Sequence, residues 1–64
     1  MITVHCFDEN TDLLFTQIRT DFPQVHEVIY YKEVEFIVIE MKNTGENEAR
    51  AVLRPLGTIN SRPE

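Results

Sequence analysis

From residue 22 to residue 40 the chain reads FPQVHEVIYYKEVEFIVIE, and Val25, Val28, Ile29, Tyr30, Tyr31, Val34, Phe36, Ile37, Val38 and Ile39 crowd into it. A turn at Lys32-Glu33 divides this ribbon into two expected strands, residues 28–31 and 34–41. Alternation then puts Ile29, Tyr31, Val34, Phe36 and Val38 on one face, and Val28, Tyr30, Glu35, Ile37, Ile39 and Met41 on the other. Both faces are apolar. One is expected to form the core; the second must be covered by the sheet curling on itself, by a partner, or by both.

Ile2, Val4 and Cys6 alternate with Thr3, His5 and Phe7, so residues 2–7 read as a strand whose inner face includes Cys6. The segment DENTD, residues 8–12, collects side chains that bond their own backbone and reverses the chain. Residues 13–20 fit two patterns. With Thr11 as cap, Leu14, Ile18 and Phe22 recur at helical spacing; alternatively Leu13 to Ile18 return as a second strand, favoured by Phe15 and Thr16. The hairpin is preferred, because a helix ending before Pro23 would have only about 9–10 residues and short helices are marginal.

KNTGENE, residues 42–48, predicts a turn in which Gly45 is free to take positive φ. Ala49, Ala51 and Leu53 then alternate with Arg50, Val52 and Arg54 in a last strand that Pro55 ends or confines to an edge. Short strands joined in series predict a mainly β fold: a small, single-domain antiparallel β-barrel or curled meander of four to five strands, with one short helix near residues 12–20 as the alternative. Residues 1–56 form the expected domain and residues 57–64 a flexible tail.

A chain of 64 residues has room for one small core, worth about 3–5 kcal/mol without disulfides or metal. Six Lys and Arg against eleven Asp and Glu leave a net charge of −5. That field disfavours nucleic acid, whose affinity comes from cations displacing counterions, and favours basic protein surfaces. The single cysteine makes no internal disulfide, and no apolar stretch reaches the roughly 20 residues of a membrane span. A cytoplasmic location is expected, with no membrane association.

The ribbon, followed by a polar turn and a strand ending VLRPL, resembles the Pro-x-Val-Gly-Asp-x-Val-x-Tyr-x-Gly-x-x-Tyr-x-Val pattern of small Src-homology-3-like barrels. Such barrels are common among short phage and mobile-element proteins. The resemblance spans roughly residues 1–56 and implies binding rather than catalysis; a phage-encoded chain would act in the host cytoplasm. His26 and Glu27 stand at the Gly-Asp positions, and Lys32-Glu33 replaces an Asn-Gly turn, so residues that tolerate positive φ are missing there.

Candidate chemistry is sparse, and no cofactor is implied. Asp8, Asn10 and Asp12 match half a calcium loop, which then fails at Leu13 and Arg19. His5 and Cys6 are adjacent and point to opposite faces of a strand, which does not suit zinc. Cys6, His26 and Asp21 lack an oxyanion loop. Glu33 with Glu35, and Glu46 with Glu48, are spaced to share a strand face but have little pocket to tune them. The chain is therefore read as a non-enzymatic protein-binding module. Its candidate contact residues are Asp8, Glu9, Asp12, Tyr30, Tyr31, Glu33 and Glu35, and its expected action is to bind and inhibit or modulate a host protein. A structural protein self-associating through an edge strand as a homodimer is the alternative. A single-strand nucleic-acid binder stacking bases on Tyr31, Phe36 and Tyr30, beside Arg50, Arg54 and Lys42, is a further one.

Overall fold

The structure, a computed structural model, describes residues 1–58. Five strands follow one another, β1 (Ile2–Phe7), β2 (Leu13–Arg19), β3 (Val28–Tyr31), β4 (Val34–Gly45) and β5 (Glu48–Thr58). They form one sheet in the order β2-β1-β5-β4-β3, curled into a half-barrel. Residues 13–19 are strand, so the hairpin reading of that ambiguous segment holds. Among the described residues there is no helix, and hence none long and apolar enough to cross a membrane.

The strands are not a simple meander in series. A β1–β2 hairpin and a β3–β4–β5 meander are joined by a parallel pairing of β1 with β5, from Thr3 beside Glu48 to Phe7 beside Val52. β5 is therefore central. Pro55 does not end it, because β1 pairs only as far as Val52; beyond that point β5 has β4 as its one neighbour, and a residue without an N–H is tolerated. Gly57 and Thr58, expected in the tail, continue β5, with Gly57 at φ 154°, a value glycine adopts freely. The rest of the expected tail, residues 59–64, lies outside the described residues.

The concave face holds the core. Ile2, Val4 and Cys6 from β1 meet Phe15 from β2, Ile29 from β3, Phe36 and Val38 from β4, and Ala49, Ala51 and Leu53 from β5. Small residues on the central strand let the sheet bend tightly around Leu53 and Val38, both fully buried. Phe22 packs on this cluster and Pro23 is fully buried, so the connection between β2 and β3 plugs one end.

Bulges produce much of the curl and change which side chains face in. Leu14 is an extra residue on β2, Ile39 and Thr44 on β4, and Leu56 on β5. Ile39 matters most: it shifts the register between Val38 and Glu40, so Met41 turns inward and packs on the core. Strict alternation had placed Met41 on the opposite face. The remainder of the two-faced ribbon is as expected, with Ile29, Tyr31, Val34, Phe36 and Val38 inward.

Residues without a glycine's freedom make the turns. Lys32 and Glu33 both adopt positive φ, 51° and 67°, which gives the two-residue I′ geometry that suits strand twist. His26, at φ 78°, sits third in a turn closed by the Glu27 amide donating to the Gln24 carbonyl at 3.0 Å, as a type II turn requires. The missing glycines thus do not prevent the turns. Gly45, by contrast, takes no positive φ; it ends β4, and Glu46-Asn47 make the reversal.

Left-handed backbone disfavours ordinary residues by roughly 1–2 kcal/mol each. Replacing Lys32 with Asn and Glu33 with Gly is therefore expected to stabilise the domain by about 1 kcal/mol, read as a thermal midpoint raised by about 4–8 °C. An unchanged or lower midpoint would contradict the I′ turn.

Candidate functional site

The parallel β1/β5 pair decides where the carboxylates gather. β1 runs toward the 8–12 loop, and β5 runs alongside it toward Thr58, which pairs with Val34 next to the 32–33 turn. Both acidic loops accordingly lie at one end of the sheet. That end carries Asp8, Glu9, Asp12, Glu33 and Glu35, against Lys32 and Arg54.

These carboxylates differ in availability. Asp8 is occupied by its own loop: Oδ1 accepts from the Asn10 amide at 2.8 Å and the Asp12 amide at 3.0 Å, while its carbonyl accepts from the Thr11 amide at 3.0 Å. This Asx turn holds Thr11 at φ 65°, an unusual value for a β-branched residue. Glu9 accepts from Arg54 at 2.9 Å, and that bond with its charge holds the guanidinium protonated. Asp12 and Glu33 are exposed, and Glu35 is half-buried on β4 beside Tyr30. Glu33 belongs to the turn, so it does not share a strand face with Glu35.

The two tyrosines part as adjacent strand residues must. Tyr30 is 59% exposed on the convex face. Tyr31 leaves the candidate contact surface: it is half-buried, its ring stacked on Phe15 at 4.0 Å and 13°, with the Lys32 ammonium 5.4 Å from its centre. Phe36 is in the core as well, so the stack of Tyr31, Phe36 and Tyr30 considered for nucleobases is divided between two faces. Of the basic stripe, Arg54 is taken by Glu9. Lys42 and Arg50 sit opposite one another on β4 and β5, Arg50 lying 4.4 Å over Phe7, beside an open hollow of about 410 Å³ that Thr11 and Glu40 also line.

The sequence reading missed a seam. β2 and β3 are the two edges of the curled sheet, and side chains meet across them: Phe15 of β2 with Tyr31 of β3, and Arg19 of β2 with Glu27, the residue just ahead of β3, at 2.6 Å. Burial works against the charged Arg19, but its bonds and charges with Glu27 and Asp21 outweigh this and keep it ionised. The four-residue steps from Phe15 to Arg19 and from Glu27 to Tyr31 match, so the edges run antiparallel in a constant register. The backbones nonetheless stay apart. No Cα of β2 lies within 8 Å of one in β3, whereas paired strands stand about 4.8 Å apart. Leu14, Ile18, Val28 and Tyr30, all exposed, lie along its two lips. The signal for it was the second apolar face of the ribbon, which curling leaves in solvent.

Cys6 and His5 point to opposite faces, as their adjacency requires. Burial pushes the Cys6 thiol up to about 11 from 9.0, partly opposed by the Arg19 charge, so the thiol is neutral at physiological pH. The folded chain thus holds this proton more tightly than the unfolded one. Stability from Cys6 is complete below pH 9 and is lost as pH rises toward 11, a loss on the order of 2 kcal/mol. Chemical denaturation of the native chain and of Cys6→Ala across that range should show the extra slope in the native chain alone; parallel curves would refute it. Asp8→Ala, which strips two amides of their acceptor, should destabilise by about 1–2 kcal/mol in the same assay. No known family model, curated protein or solved structure matches this chain.

Proposed function

We propose that the chain is a non-enzymatic protein-binding module that docks its carboxylate-bearing end on a basic surface of another protein. The observation that carries this reading is the placement of the 8–12 loop and the 32–33 turn toward the same end of the sheet. Asp12 and Glu33 are exposed there, and their side chains accept no hydrogen bond among the described residues. A net charge of −5 extends the attraction beyond contact range and speeds encounter with a cationic partner. Tyr30, beside Glu35 on the convex face, adds an amphipathic ring of the kind enriched at protein contacts.

The resemblance to small Src-homology-3-like barrels of phages and mobile elements gives this module a setting. In that setting it binds and inhibits or modulates a host protein in the host cytoplasm, with its carboxylates standing where the phosphates of a nucleic acid would. The nucleic-acid alternative draws less support, because Tyr31 and Phe36 are turned into the core and Glu9 holds Arg54. Self-association rests on a separate observation, the outer edge of β2, along which no other described strand pairs.

The test uses a double variant, Asp12→Lys with Glu33→Lys, at exposed positions whose side chains make no hydrogen bond among the described residues. For a protein captured from the native host by the unaltered chain, affinity should fall at least about tenfold in the variant. The steep decline of association rate with salt should flatten. Unchanged affinity and an unchanged salt slope would remove the acidic end from the contact.

A further inference from the structure

We propose that the seam between β2 and β3 is a docking slot for an extended segment of a partner protein, which enters as a sixth strand and completes the barrel. The proposal rests on the protein-binding reading and names the form of the partner. Its observations are independent of the acidic end.

Width comes first. The two edges run antiparallel at constant register, farther apart than 8 Å, yet close enough for Phe15 and Tyr31 to stack across them at 4.0 Å. One absent strand between two others leaves a gap of about 9–10 Å, twice the normal spacing. Among the described residues neither β2 nor β3 has a neighbour on that side, so both edges carry backbone donors and acceptors left unpaired by those residues. Finally, Leu14 and Ile18 on one lip and Val28 and Tyr30 on the other leave apolar side chains in solvent along the slot.

These features also select the occupant. A slot one strand wide admits a segment with both of its edges free. The β2 edge of a second copy is already bonded to its own β1 and does not fit, so the occupant is an extended tail or linker of another protein. Antiparallel pairing is the stronger kind, and β2 offers seven residues against four in β3, so the segment runs antiparallel to β2 and parallel to β3. Its inward side chains are small, because the Phe15 and Tyr31 rings already fill the space beneath. Its outward ones are branched and apolar, to lie between the lips.

The peptide Ac-KVSVAVSE-NH2 has this alternation and no net charge to draw it to the acidic end. Titrated into the full chain, it should slow amide hydrogen exchange in both β2 and β3, and Ile18→Lys or Val28→Lys should each weaken its binding at least about tenfold. Both positions are exposed, so neither variant threatens the core. Protection confined to β2, as edge pairing alone would give, overturns the proposal; so does protection of neither lip at millimolar peptide. If the peptide fails while Asp12→Lys with Glu33→Lys still abolishes capture of a host protein, the slot falls and the acidic docking reading stands. If both lips are protected while that double variant captures its partner undiminished, the slot stands and the acidic end falls.

Discussion

A lone sheet with no helix to lie on it can bury an apolar face only by bending around it. That constraint governs this molecule. With five strands and no second layer among the described residues, the concave side must close over ten core residues, and every departure from a flat, regular ladder serves the bending. Bulges at Leu14, Ile39 and Leu56 add local curvature. Ala49 and Ala51 leave room on the inside of the central strand, where larger residues would collide as the sheet tightens. The stack of Phe15 on Tyr31 and the ion pair of Arg19 with Glu27 then hold the edges at a fixed separation, tying through side chains what backbone hydrogen bonds do not join.

The same bending accounts for the surface. A curled sheet has one protected side, so a ribbon that is apolar on both faces leaves half of its oil outside. Val28, Tyr30, Ile37 and Ile39 are the outcome, partly or largely exposed on the convex face. The charges on the loops compensate in solubility for that apolar exterior, and they concentrate the protein's field where the chain turns. Apolar lips and acidic end are therefore two results of one architecture, a single curled sheet with one protected side.

Much of this was legible in the sequence because strand periodicity is a local signal. The alternation of Ile2, Val4 and Cys6, the division of the ribbon at Lys32-Glu33, and the self-bonded loop at Asp8 all appear in the structure. What was not legible depended on register between distant segments. Nothing in the spacing of Ala49, Ala51 and Leu53 tells that β5 lies parallel to β1, since the same inward residues would serve an antiparallel neighbour. The bulge at Ile39, which reverses Met41, breaks a period that sequence reading must assume to be unbroken. Tyr31 and Tyr30 could be separated onto two faces from adjacency alone, but which of them met Phe15 needed the curl. The acidic end was read residue by residue, without the topology that places its two loops toward the same end of the sheet.

The pairing of β1 with β5 also fixes the order in which the molecule can acquire a core. Thr3 lies beside Glu48, so the inward residues of β1 gain their β5 neighbours only once residue 48 and those after it have been made, whereas Phe15 on β2 can meet Tyr31 and Phe36 earlier. Closing so long a loop is entropically expensive compared with closing the local hairpins. Those hairpins can flicker into existence early, but each is too small to persist alone. The pairing of β1 with β5 is the most sequence-distant one among the described strands, and a domain this small should accordingly fold more slowly than its size suggests.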